Sequence, residues 1–279
     1  MGAGHTIGLV GPAFVAVLAA SAHADARPLG VHDAAPGHPG VTYLDLLRQE
    51  IPDLAENATD EAVEGNLTKP LRHLGGPGYE GPPPGPVVVG WLQDVRLKIG
   101  GRPRIAVLAN LGAGVALLAL FDDAPQPKLL DAADVGVDKD TVFAGPSQVA
   151  LGPGDAALIT YSEHDDADLS FGAHLIISPI GDRLKLVDLI STQSANACNW
   201  SNVETTNVSS APDPGRPYRR IEVAVKVVFK PTKDDCGTNP IPKALNRTYR
   251  AAFRWNAGRR RFETDSLDLK RLDRLNGIP

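Results

Sequence analysis

Sulfur chemistry is almost missing from this chain: its 279 residues hold one methionine and two cysteines, Cys198 and Cys236. Neither cysteine has a CxxC partner or a histidine within a few residues, which argues against a zinc site, a redox couple or a Cys–His nucleophile. Aromatics make up only 5% of the residues. With so little Met and aromatic side chain, an adaptable, sticky peptide groove is a poor fit. No HExxH, Walker loop or GxGxxG before a helix is present. The nearest approach to a nucleophile elbow, Gly145-Pro146-Ser147-Gln148, has a proline in the turn and no closing glycine. The sequence therefore names no catalytic residue.

Long apolar runs are scarce too. Leu9 to Ala20 is about a dozen residues, short of the roughly 20 that span a bilayer. Ala22-His23-Ala24 follows it with the small-x-small pattern of signal-peptide cleavage. Residues 1–24 are thus read as a signal peptide, although the leading MGAGHTIG lacks Lys and Arg. No cysteine near the cleavage site offers a thiol for a lipid anchor. A secreted or periplasmic protein starting near Asp25 is expected, with no transmembrane segment after the signal is removed. In an oxidising compartment Cys198 and Cys236 would pair. Their bridge would close a loop of about 38 residues and constrain the unfolded chain by roughly 4 kcal/mol.

What is present reads as a globular, turn-rich chain, with 43% hydrophobic and 22% charged residues, 24 prolines and a net charge of -5. Residues 25–41, rich in Pro, Gly and Ala, read as a flexible lead-in. In residues 42–74, a short helical segment, Tyr43, Leu46, Leu47, Ile51 and Leu54 fall at helical spacing behind a Thr42 cap. Residues 75–86 (GGPGYEGPPPGP) form a Pro/Gly linker. Residues 87–279 then follow as a β-rich domain.

There the period becomes two. Ile221, Val223, Val225, Val227 and Phe229 share one face of a strand whose other face carries Glu222, Lys226 and Lys230. Tyr249, Ala251, Phe253 and Trp255 repeat the pattern before a hairpin turn at Asn256-Ala257-Gly258. The nearly continuous apolar stretch Ile105 to Phe121 is broken by Asn110, Gly112 and Gly114, and reads as two strands buried on both faces. Residues 105–135 and 156–191 look like two related three-stranded meanders. The fold class is mainly β: antiparallel meanders forming a sandwich or propeller-like sheet array, with a short N-terminal helix.

The richest polar cluster is Glu163-His164-Asp165-Asp166-Ala167-Asp168, at the tip of a hairpin whose second strand carries His174. A turn near Leu169 would set His164 opposite His174. His164, Asp165, Asp166, Asp168 and His174 are then candidate ligands for a divalent cation, calcium through the carboxylates or zinc through the imidazoles. A bound cation would suit a metal-dependent hydrolase on hairpin 163–174. Against it, the spacing lacks the glycine-bearing pattern of a calcium loop, and acidic hairpin tips discourage edge pairing. DVGVDKD, with Asp134, Asp138 and Asp140, is a weaker acidic group.

Charge is uneven along the chain: residues 121–170 carry eleven acids against Lys128 and Lys139, and residues 241–279 carry ten basic residues against four acids. Lys226, Lys230, Arg250, Arg254 and Arg259 to Arg261 could form a basic sheet face for an anionic polymer, although the aromatics point away from it. The leading expectation is a non-catalytic exported protein with a binding or envelope-structural role, requiring no cofactor.

Overall fold

The computed structural model describes residues 29–57, 62–75, 80–166, 169–197, 199–232 and 243–277. The signal segment, Asp168, Cys198 and Cys236 lie outside the described residues, so the leader and the disulfide stand as sequence expectations. No helix among the described residues is long and apolar enough to cross a membrane.

The chain is mostly β, built from antiparallel sheets. Residues 29–41, expected as a flexible lead-in, instead hold β1 (Ala34–Ala35) and β2 (His38–Thr42), which pair with each other. They are fixed by side chains that composition does not reveal. His38 Nε2 lies 2.6 Å from Asp123 Oδ1, nearly buried, and Ala35 and Val41 enter the core. Helix α1 (Tyr43–Leu47) starts at the expected Thr42: its Oγ1 accepts from Asp45 N, and Asp45 Oδ2 accepts from Thr42 N. This reciprocal capping box satisfies two otherwise orphaned donors. The helix is one turn long, yet Ile51 and Leu54 beyond it are still fully buried. The rest of the expected helical segment contains β3 (Ala55–Glu56) and β4 (Val63–Leu67). β4 pairs with β5 (Gly85–Val89) across the Pro/Gly stretch, so a ladder joins its two sides.

β6 (Leu92–Ile99), β7 (Arg102–Asn110), β8 (Ala116–Asp122) and β9 (Leu129–Asp134) form a four-stranded meander. As the apolar stretch required, β7 and β8 are covered on both faces. Ile105, Val107, Ala109, Leu117 and Phe121 pack on the N-terminal elements, while Ala106, Leu108, Leu118 and Leu120 face a second sheet. The turn between them uses left-handed backbone at Gly112, Ala113 and Gly114, conformations that glycine reaches without steric cost.

The second sheet runs β10 (Asp140–Gly152), β11 (Asp155–Asp166), β12 (Leu169–Ser178), β13 (Lys185–Ala197), β14 (Trp200–Ala211), β15 (Arg220–Pro231), β16 (Leu245–Asn256) and β17 (Arg261–Glu263), each paired with the next. One junction is different. β13 and β14 pair only from Ala195–Ala197 to Trp200–Asn202 and then diverge, although both strands are long. The sheet thereby folds into two halves with a core between them: Val149, Ile159 and Ile176 from one half, Val223, Val225 and Phe253 from the other. Arg219 N donates to Leu151 O at 2.8 Å, tying the start of β15 to the end of β10. The meanders expected from sequence are therefore stacked as sandwich layers, with no closed barrel. A second helix, α2 (Asp268–Leu275), inserts Leu269 and Leu272 into the core between the halves.

Candidate ligand cleft

The β11–β12 register decides what the acidic hairpin can do. His164 stands opposite Phe171, Asp165 opposite Ser170 and Asp166 opposite Leu169, while His174 stands opposite Tyr161. Pairing thus continues up to Asp166 and Leu169, so Leu169 belongs to the ladder and not to the turn expected near it. Because strand side chains alternate, His164 and His174 leave the hairpin on opposite faces, as do Asp165 and Asp166. His164 Nδ1 lies 2.8 Å from Asp138 Oδ1, a partner from DVGVDKD. His174 turns inward, with its ring centroid 4.7 Å from that of Tyr161. Burial pushes its pKa down to about 4, so the ring is neutral near pH 7. Among the described residues, no group of three or more His, Cys, Asp or Glu is placed to hold a metal ion. Of the five candidate ligands, the four described ones are thus divided between the two faces of the hairpin, and Asp168 lies outside the described residues.

On the basic strands, three of the seven cations are already engaged. Arg254 lies 3.4 Å from Asp213, and Arg259 and Arg261 lie 2.9 and 2.6 Å from Glu263. Lys226, Lys230 and Arg250 make no ion pair among the described residues and share the outer face of β15 and β16. Tyr249 and Phe253 are buried on the opposite face, as their spacing indicated. An anionic polymer would meet a face of isolated charges without aromatic stacking partners.

A nearly buried polar pair lies on the four-stranded sheet. Residues 72–74 run beside the end of β9: Asp134 N donates to Arg72 O at 2.9 Å, and Leu74 N donates to Asp134 O at 2.8 Å. This places His73 against Asp134, with Nδ1 2.6 Å from Oδ2 and both side chains only 5% exposed. The other carboxylate oxygen accepts from Ala116 N and Gly136 N, each at 3.0 Å. A carboxylate with three partners cannot swing, and its hydrogen bond fixes the orientation of the imidazole. At Gly75 any Cβ would overlap the His73 ring, so only glycine fits there.

The pair lines a cleft of about 530 Å³. Its back is apolar, from Leu67, Val87, Leu111 and Val115, and one rim is the proline run 82–84. The other rim is the turn at 112–114, which packs so closely on Gly136 that a Cβ there would meet Gly114 O. Glu80 supplies an exposed carboxylate at the edge. No Ser, Thr, Cys or Tyr is among the described lining residues. What the pair offers is a rigid polar spot on an apolar wall.

Sequence reasoning did not find this site. His73 and Asp134 are 61 residues apart, and Asp134 drew notice only as part of an acidic run. Their pairing depends on a single bridge between an irregular segment and a strand end, which no local pattern encodes. Comparison of the chain with protein-family models, with curated proteins and with solved structures finds no match.

Proposed function

We propose that the chain is an exported, non-catalytic binding protein whose ligand seat is the cleft beside His73 and Asp134. The observation that carries this reading is the cleft itself. Its volume of about 530 Å³ falls within the range of small-molecule sites, and its lining sets apolar side chains at the back beside polar groups, as such sites do. Both rims are stiff. The proline run has little backbone freedom to lose, and the opposite turn is wedged against Gly136, so little ordering opposes binding. The favoured ligand is a compact, mainly apolar molecule that fits between the proline rim and the turn at 112–114.

Filling the cleft from within tests this. Val115 is only partly buried at its back, so Val115→Trp places an indole in the ligand space. A neutral apolar dye such as Nile red should bind the wild-type protein and lose about tenfold or more in affinity with the variant, at an unchanged melting midpoint. Equal dye affinity in both proteins would remove the cleft as the seat.

A further inference from the structure

The outer face of β14, β15 and β16 carries a pocket that shares no lining residue with the cleft at His73. Strand register builds its floor. Asn207, Ala224 and Arg250 stand in one row across the three strands, and Ser209, Glu222 and Ala252 stand in the next. Because side chains alternate along a strand, all six leave the sheet on the side opposite the buried Val208, Val223 and Ala251. The two alanines are diagonal neighbours, so the floor dips among longer side chains into a pocket of about 410 Å³. One wall is the segment that enters α2. Ser266 Oγ donates to Arg250 O at 2.8 Å, which lays Asp265 and Ser266 along β16 at the edge of the pocket.

Two charges of opposite sign line this pocket and remain apart. Arg250 and Glu222 are diagonal neighbours on adjacent strands, a separation that long side chains can bridge. Glu222 pairs instead with Arg220, whose Nε lies 2.7 Å from Oε1, and Arg250 makes no ion pair among the described residues. Asp265 makes none there either, since the nearby Arg271 is taken by Asp268 at 2.8 Å. Both Arg250 and Asp265 are exposed. The pocket therefore holds one uncommitted cation and one uncommitted anion, with the amide of Asn207 and the hydroxyl of Ser209 in the same lining.

We propose that this pocket binds a small zwitterion of dipeptide size, its carboxylate on Arg250, its ammonium on Asp265, and Asn207 and Ser209 available to the peptide group between them. A molecule with a single charge is repelled by one of the two groups, whereas a molecule carrying both is attracted by each, and a guanidinium suits a carboxylate through paired hydrogen bonds. The size agrees. Three strands span about 10 Å, and an extended dipeptide is about 7 Å long.

Titration of the isotope-labelled protein with alanyl-alanine at low salt, followed by amide chemical shifts, tests this. Saturable shifts should fall on residues 207–209, 222–224, 250–252 and 265–266. N-acetyl-alanyl-alanine and alanyl-alanine amide, each lacking one charge, should bind about tenfold more weakly or worse. Arg250→Gln and Asp265→Asn change exposed side chains, and each should weaken dipeptide binding by about the same factor. Four outcomes overturn the proposal: no saturable shift up to about 10 mM dipeptide, equal binding of either blocked form, undiminished binding in either variant, or shifts centred on Leu67, Val87 and Val115, which would seat the dipeptide in the other cleft.

Discussion

His174 and Asp188 are diagonal neighbours on one sheet face, since His174 stands opposite Ile190 and Ile176 opposite Asp188. Burial shifts them in opposite directions. The His174 pKa goes down to about 4 and that of Asp188 up to about 6. As pH falls from 7 to 5 the unfolded chain protonates His174 first, which costs stability, whereas the folded chain protonates Asp188 first, which adds it. Each contribution is on the order of 1–2 kcal/mol over that interval, so wild-type stability should be nearly flat. His174→Phe should be more stable at pH 5 than at pH 7, and Asp188→Asn less stable. Urea midpoints at the two pH values read this directly, and single variants that stay as flat as the wild type would contradict it. Little at this scale was legible in the sequence. His174 was noted as a possible ligand because it is a histidine near acids, but only the register shows that it points inward, away from His164.

The elements that could be read were those whose own side chains state both faces. Ile221 to Phe229 alternates and is a strand; Ile105 to Phe121 carries a turn at its centre and is two. Those that could not be read depend on distant partners: β1 and β2 on Asp123 and Arg96, β4 and β5 on each other, and the split of β13 from β14 on Glu204. Helix α2 did carry a local signal, Leu269, Leu272 and Leu275 at a spacing of three, among basic residues that drew attention only as charge. The join between the two large sheets is another distant contact. Asn110 at the end of β7 is 6% exposed; its Nδ2 donates to Thr141 O at 2.8 Å, and its Oδ1 accepts from Thr141 N at 3.1 Å. Asn110→Leu keeps the volume and strands both Thr141 groups, for a loss of roughly 2–4 kcal/mol. Chemical denaturation measures it, and a loss below about 0.5 kcal/mol, ordinary for a surface change, would show that the amide does not join the sheets.

At the scale of the molecule, sheets stacked as layers share three apolar cores, and the four-stranded sheet lies between two of them. The meander pattern led to antiparallel sheets in a sandwich or propeller-like array; the layering and its order did not follow, because alternation says which residues are buried and not against what. The compartment belongs to this scale as well. Protein recovered from the exported fraction should have an intact mass beginning at Asp25 and two hydrogens short, with Cys198 and Cys236 joined. A mass that still includes Met1, with both thiols free, would return the protein to a reducing compartment and remove the basis for the bridge.

The strictly sequential pairing of β6 to β9 and of β10 to β17 has a consequence for assembly. Each strand adds to the one made just before it, so a chain emerging N-terminus first from a ribosome or a translocation pore can lengthen both sheets without waiting for a remote partner. Such local wiring lowers contact order and favours fast folding. It also leaves a growing edge open until the next strand arrives, and the slowest moment is then the fold-over at β13 and β14, where distant halves must find each other.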